Sequence, residues 1–173
     1  ELFKQVAEIA SNDMVQTKPL VGFLYMQNAK DNPNAVMDFT RFNDNEITEI
    51  PVEIQFLINL KEFNCSYNEI RVVPPEIQFS TLLEEFNCRN NFISEIPAEI
   101  QGLTNLKKLV CEHNCISVIS SEIQFLSNLE QFYCSNNEIT ELPSLSKNLI
   151  TFDCSYNLLS SLPTEIKTLT QLK

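Results

Sequence analysis

The side chains in this sequence that could do chemistry are six cysteines, a single histidine and many carboxylates. The segment from Cys111 to Cys115 reads CEHNC and has the spacing of metal ligands, because thiolates and imidazole nitrogens are common donors to zinc. A tetrahedral zinc site would need a second Cys/His cluster, and the sequence contains none. One histidine also leaves little room for a Ser-His-Asp or Cys-His arrangement. The sequence therefore predicts no metal site, no cofactor and no catalytic centre, and we do not expect an enzyme.

Charge and composition exclude further classes of function. The 173 residues carry a formal charge of −11, with 12 Lys and Arg against 23 Asp and Glu. An acidic chain without a basic block is a poor binder of nucleic acid or of anionic membrane surfaces. The chain has only two glycines, Gly22 and Gly102, which excludes a glycine-rich phosphate loop. No apolar run approaches the ~20 residues of a membrane-spanning helix, so we expect no membrane insertion.

The elements that position these residues follow from an internal repeat. The template L-x-x-[FL]-x-C-x-x-N-x-I recurs, and its asparagine is separated from the next by 23 residues four times and then by 20. Within each copy, apolar and polar residues alternate before the asparagine, which predicts a short half-buried strand. Stacked copies then form a parallel sheet. We call these asparagines the anchors: Asn45, Asn68, Asn91, Asn114, Asn137 and Asn157.

The second half of the template reads x-x-I-P-x-E-I-x-x-L-x-N, as in the copies 96–100 (IPAEI) and 162–166 (LPTEI). This pattern resembles the leucine-rich repeat, specifically the 23-residue intracellular type of Ras-group and scribble-like scaffold proteins. The resemblance implies an α/β fold, a right-handed solenoid or horseshoe with a short parallel β-sheet on its concave face. We expect six repeats in residues 35–173, with the last one incomplete and the parent protein continuing beyond it.

Residues 1–34 do not fit the repeat. Leu2, Phe3, Val6 and Ile9 follow helical spacing, and the first repeat of a solenoid needs a cover for its exposed core. We therefore expect a helical N-terminal cap in this segment. A partner-binding helix unrelated to the solenoid is the alternative.

Five of the cysteines occupy one template position that points inward, where they would act as small hydrophobic residues. In-register parallel strands point these side chains the same way, so we expect reduced, buried thiols and not disulfides. A reduced thiol ladder argues for a cytoplasmic location. At these positions Cys111 would face the core and His113 would face solvent, so the two side chains could not bind the same metal ion. Cys115 is expected to be partly exposed. The five inward positions are Cys65, Cys88, Cys111, Cys134 and Cys154.

The outward strand residues are not needed for stacking and are candidates for binding. Glu84 and Glu85 should neighbour Lys107 and Lys108 across adjacent strands, and we interpret them as solvated ion pairs in preference to a charged binding site. Tyrosine and arginine are typical interface anchors. We therefore predict a protein-binding track on the concave face, with isolated surface aromatics as the alternative. Its residues are Arg41, Tyr67, Arg89, His113, Tyr133 and Tyr156.

A second candidate surface is a stripe formed by Phe56, Phe79 and Phe125, which recur on the outer turn of successive repeats with Gly102 interrupting the series. Mutual packing between outer turns is one interpretation. The other is a self-association or partner surface.

The sequence thus predicts a non-catalytic protein-protein interaction module, an intracellular scaffold or adaptor in signalling. The resemblance to Ras-group repeats suggests a small GTPase, a kinase or a phosphatase as the partner. A regulatory domain of a larger kinase or phosphatase and a self-assembling structural protein are the alternatives. An extracellular receptor is opposed by the reduced thiols.

Overall fold

The computed structural model describes residues 36–38 and 47–173. The predicted cap (1–34) and Arg41 lie outside these residues.

Six short strands form one parallel sheet in which each strand pairs with the strand of the next repeat. In order across the sheet they are β1 (Val36–Asp38), β2 (Glu62–Asn64), β3 (Glu85–Asn87), β5 (Lys108–Val110), β7 (Gln131–Tyr133) and β8 (Thr151–Asp153), while β4 (Glu95–Ile96) and β6 (Val118–Ile119) form a separate two-stranded sheet. Equivalent template positions face each other, since Phe63 of β2 pairs with Phe86 of β3, and Leu109 of β5 with Phe132 of β7. The parallel sheet predicted from the repeat is therefore confirmed.

The other side of every described repeat except the fifth is a 3₁₀ helix of five residues that begins after an extended proline, or after Ser120 in the fourth copy. The α/β class implied by the resemblance is corrected here, because the outer segments of the described residues form 3₁₀ helices and not α-helices. Each outer segment is too short to gain from α-helical bonds, so the tighter 3₁₀ turn fits the distance better. The helices are Val52–Phe56, Pro75–Phe79, Ala98–Gly102, Ser121–Phe125 and Thr164–Thr168. The fifth copy, three residues shorter, has no helix between Pro143 and Leu149.

The core lies between the sheet and the 3₁₀ helices. Phe63 and Phe86 are fully buried and their rings stack with centroids 5.4 Å apart. Ile100 and Leu103 of the third outer segment are also fully buried, as are Ile123 and Leu126 of the fourth. In the sixth repeat the equivalent residues Phe152 and Ile166 are only partly buried.

The anchor asparagines link neighbouring repeats through hydrogen bonds from their side-chain amides to the backbone. Asn114 Nδ2 donates to the carbonyl oxygens of Cys88 (3.0 Å) and Cys111 (3.1 Å), one in each of two repeats. Its Oδ1 accepts from the backbone N–H of Ile93 at 3.0 Å. The same set of bonds recurs at Asn91, Asn137 and Asn157. Because each amide joins two copies, it fixes the register of the strands that display the candidate site.

Candidate functional site

The exposed side of the six-stranded sheet, which we call the sheet face, carries side chains in rows that run across the repeats. One row begins just before the strands and alternates in charge: Lys61, Glu84, Lys107 and Glu130. Lys107 Nζ lies 2.6 Å from Glu84, and Lys61 Nζ lies 3.9 Å from the same carboxylate. The hydrogen bond from Lys107 lowers the pKa of Glu84, and the same bond raises the pKa of Lys107. Both groups are exposed, so solvent screens this attraction.

The next row contains the predicted pair of Glu85 and Lys108, which face each other in the strand register with Nζ 2.7 Å from the carboxylate. The sequence expectation that Glu84 and Glu85 neighbour Lys107 and Lys108 is therefore confirmed. These charges satisfy one another within the sheet face. Because these side chains are paired with each other, this part of the sheet face offers little free charge to a partner.

A third row holds a more enclosed cluster that sequence reasoning did not single out. Arg89 donates from its guanidinium to Glu112 at 2.5 Å, and Ser135 Oγ donates to the other oxygen of the same carboxylate at 2.9 Å. The side chain of Glu112 is only 15% exposed. Arg89 is thus engaged by a neighbouring repeat. The sequence does contain a signal for this cluster. Arg89, Glu112 and Ser135 occupy the same template position, which places them side by side in neighbouring repeats.

The aromatic residues of the predicted track fall on two rows. Tyr67, His113 and Tyr156 directly precede the anchors, and Tyr67 and Tyr156 are 51% and 81% exposed. Tyr133 lies on the row of Val110 and Asp153, where it is half-buried. The structure therefore does not bring all the predicted residues onto one line.

The row before the anchors has an unusual backbone. Tyr67, His113 and Tyr156 have φ values of 58°, 53° and 53°, in the left-handed region, and Asn90 and Asn136 share it with 52° and 55°. Asparagine accepts this conformation readily, whereas tyrosine does not. The fold therefore holds Tyr67 and Tyr156 outward at a conformational cost.

The cysteines occupy the predicted inward positions. Cys65, Cys88, Cys111 and Cys134 are buried with free thiols, Cys154 is half-buried and Cys115 is exposed. Burial raises the pKa of Cys88 to about 12 and raises that of Cys65 well above its usual value. In residues 36–38 and 47–173, no group of three or more His, Cys, Asp or Glu side chains is arranged to hold a metal ion.

The predicted phenylalanine stripe lies on the outer side of the molecule. Phe56, Phe79 and Phe125 each end a 3₁₀ helix and are 52%, 49% and 61% exposed. Gly102 holds the equivalent position in the helix between Phe79 and Phe125, where an added Cβ would meet the backbone oxygen of Gln78 at 2.5 Å. Close approach of the two outer segments therefore requires glycine and leaves a gap in the stripe.

No helix in the described part of the chain is long and apolar enough to cross a membrane.

Comparison with known proteins gives one family. A family model described as leucine rich repeats (2 copies) matches residues 81–126 and 104–147. No curated protein matches the chain. Among solved structures, the chain is similar to a leucine-rich repeat protein of Leptospira interrogans, with 33% identity and a TM-score of 0.70 over 76% of this chain and 34% of that one.

Two plant receptors are also similar. The plant peptide hormone receptor RGFR1, solved in complex with RGF2, is 30% identical with a TM-score of 0.67 over 74% of this chain and 22% of the receptor. The ectodomain of the Arabidopsis thaliana membrane receptor kinase GASSHO1/SCHENGEN3, in complex with CASPARIAN STRIP INTEGRITY FACTOR 2, is 29% identical with a TM-score of 0.60 over 69% and 15% of the two chains. The chain thus spans about a third or less of each of these proteins.

Proposed function

We propose a function from the premise that the chain belongs to the leucine-rich repeat family, whose repeats generally serve as protein-protein interaction modules and are typically non-catalytic. The proposal is that the chain binds a protein partner through the sheet face. The observation that carries it is the row before the anchors, where Tyr67, His113 and Tyr156 are exposed and held outward by a left-handed backbone. Large exposed aromatic side chains are frequent anchors of protein interfaces.

The neighbouring rows support this role in a different way. The bonds of Glu112 to Arg89 and Ser135, and of Glu85 to Lys108, join adjacent repeats. A partner that docks on them meets a surface already ordered, so less side-chain entropy is lost on binding. We place affinity in the aromatic row and assign orientation of the partner to the charged rows.

The finer part of the proposal is a scaffold or adaptor in intracellular signalling, located in the cytoplasm. Its support is the ladder of free, buried thiols, which suits a reducing compartment. The resemblance to Ras-group repeats makes a small GTPase, a kinase or a phosphatase the first partner class to test. Two of the similar proteins are receptors solved with RGF2 and with CASPARIAN STRIP INTEGRITY FACTOR 2. A peptide segment of a partner is therefore a suitable second class.

A regulatory leucine-rich repeat domain of a larger kinase or phosphatase is the second candidate. The observation in its favour is that one of the similar structures is the leucine-rich repeat ectodomain of a membrane receptor kinase, GASSHO1/SCHENGEN3. This candidate uses the same sheet face, with the partner segment in the same polypeptide.

The test compares one triple variant and one double variant with the wild type. Tyr67→Asn/His113→Asn/Tyr156→Asn removes the row's large side chains and keeps a residue that suits the left-handed backbone, as Asn90 and Asn136 do. The control, Val72→Thr/Val118→Thr, changes residues that are 60% and 55% exposed away from the six-stranded sheet. Partners captured from a reducing lysate are purified and titrated against each protein by calorimetry.

We expect the sheet-face variant to bind the purified partner at least about tenfold more weakly, while the control binds as the wild type does. Equal affinity of all three proteins would remove the sheet face as the binding site. Circular dichroism and thermal unfolding of the variants check that each one is folded.

A further inference from the structure

The outer surface of the first four described 3₁₀ helices carries a pattern that the sheet-face function does not use. These helices read VEIQF, PEIQF, AEIQG and SEIQF, and each pair of neighbours is in contact. Residues three apart in a 3₁₀ helix lie on the same side. The glutamate of each helix therefore lies beside the stripe position of the same helix, as Glu76 does with Phe79.

The result is two parallel columns that run across four repeats. One is apolar and consists of Phe56, Phe79 and Phe125 with the gap at Gly102. The other is acidic and consists of Glu53, Glu76, Glu99 and Glu122, each half-buried. No basic residue occurs in the four helices or in the three residues after each of them. The acidic column is therefore not neutralised from within this surface.

We propose that this outer surface docks a basic amphipathic helix of another protein. The apolar side chains of that helix pack on the phenylalanine stripe, and its Lys or Arg side chains pair with the acidic column. Charge decides against a second copy of this chain, which carries −11 overall. A two-fold axis that set the stripes antiparallel across an interface would also bring the two acidic columns against each other.

The contacts between the outer segments suit a helix that lies along the stripe. Neighbouring 3₁₀ helices touch one another, and an added Cβ on Gly102 would lie 2.5 Å from the backbone oxygen of Gln78. An α-helix presents side chains at i, i+4, i+7 and i+11 on one side, which lets it contact several stripe positions at once. The gap at Gly102 accepts one of these side chains between Phe79 and Phe125.

The test uses a fluorescein-labelled 14-residue peptide of leucine and lysine with a helical amphipathic pattern, and the same peptide with every lysine replaced by glutamate. Fluorescence anisotropy at 50 mM and 300 mM NaCl measures binding to the intact chain. The stripe variant is Phe79→Ser/Phe125→Ser. The matched control is Phe92→Ser, which removes a phenylalanine that is 47% exposed and lies under Arg71, outside the stripe.

We expect the lysine peptide to bind the wild type and the control equally, and the stripe variant at least tenfold more weakly. We expect the glutamate peptide not to bind, and binding of the lysine peptide to weaken at 300 mM NaCl. Equal binding to the stripe variant and the wild type would mean non-specific attraction to an acidic protein and would overturn the proposal. Sedimentation equilibrium of the chain alone gives the second check, because a dimer abolished by Phe79→Ser/Phe125→Ser would identify a second copy as the occupant instead.

Discussion

Asn91 Nδ2 donates a hydrogen bond to the carbonyl oxygen of Cys65, 26 residues earlier, at 3.0 Å. The same nitrogen donates to Cys88 of its own repeat at 3.0 Å, and Asn91 Oδ1 accepts from Ile70 N–H at 2.9 Å. One buried side chain therefore satisfies backbone groups of two repeats. Its role is to hold repeats in register, and the rows of the sheet face depend on that register.

The first prediction is that Asn91→Ala lowers the free energy of unfolding by about 2–4 kcal/mol, because the buried backbone groups that it serves lose their partners. Denaturant unfolding followed by circular dichroism measures this difference. Asn105→Ala is the matched control, since exposed Asn105 donates only to Thr81 O, at 2.8 Å. We expect that control to lose about 0.5–1 kcal/mol. A loss at Asn91 no larger than at Asn105 would contradict the linking role.

Leu82 interrupts a second series of asparagines on the outer side. Asn105, Asn128 and Asn148 each donate to a backbone carbonyl of the preceding repeat, at 2.8, 2.8 and 2.7 Å. Leu82 holds the equivalent position in its repeat and is 42% exposed. We predict that Leu82→Asn donates to the carbonyl of Ile58 and raises the free energy of unfolding by about 0.5–1 kcal/mol.

The control for this change is Leu82→Ser, which removes the same exposed apolar surface but is too short to reach the carbonyl. Thermal unfolding of the three proteins separates the hydrogen bond from the change in polarity. An equal shift for Leu82→Ser and Leu82→Asn would show that the bond does not form.

The sequence was sufficient to predict the repeats, the parallel sheet and the inward cysteines, because each depends on periodicity. The burial of Phe63 and Cys65 and the pairing of Glu85 with Lys108 follow directly from the template. Other features depend on geometry that periodicity does not encode. The 3₁₀ form of the outer segments is set by their length. The ion pair between Arg89 and Glu112 depends on side-chain conformation.

The left-handed row is the clearest example of this difference. Asn90 and Asn136 are residues that signal such a backbone, but Tyr67 and His113 at the same template position do not. The aromatic side chains could be recognised from the sequence as candidates for binding. The conformational cost of this placement could not be recognised from the sequence, because it arises from the turn between the strand and the anchor.

Tyr156 allows that cost to be measured. It is 81% exposed, so its replacement removes little packing, and its φ is 53°. We predict that Tyr156→Asn raises the free energy of unfolding by about 0.5–1 kcal/mol, whereas Tyr156→Val lowers it by about 1 kcal/mol because a β-branched residue fits this region poorly. Urea unfolding of both variants checks the order of stability. If the valine variant equalled the asparagine variant, the left-handed backbone would not cost the free energy that we assign to it.

The last prediction concerns alkaline pH and the buried thiols. The pKa of Cys88 is raised to about 12, and those of Cys65, Cys111 and Cys134 are also raised, in each case mainly because burial disfavours the thiolate. The unfolded chain releases these protons near pH 9, whereas the folded chain retains them. The free energy of unfolding therefore keeps its full value below about pH 9 and falls as the pH rises from there toward the folded pKa values, by up to about 1.4 kcal/mol per pH unit for each thiol.

Urea unfolding at pH 7, 8, 9 and 10 under reducing conditions measures this loss. Alkaline pH also affects side chains other than cysteine, so the wild type alone does not isolate the cysteines. Cys88→Ala removes one buried thiol and is expected to lower stability at pH 7 and to flatten the alkaline slope. Cys115→Ala removes the exposed cysteine and is the matched control, which we expect to unfold with the alkaline slope of the wild type. A slope that stays the same in Cys88→Ala would show that the buried thiols do not control alkaline unfolding.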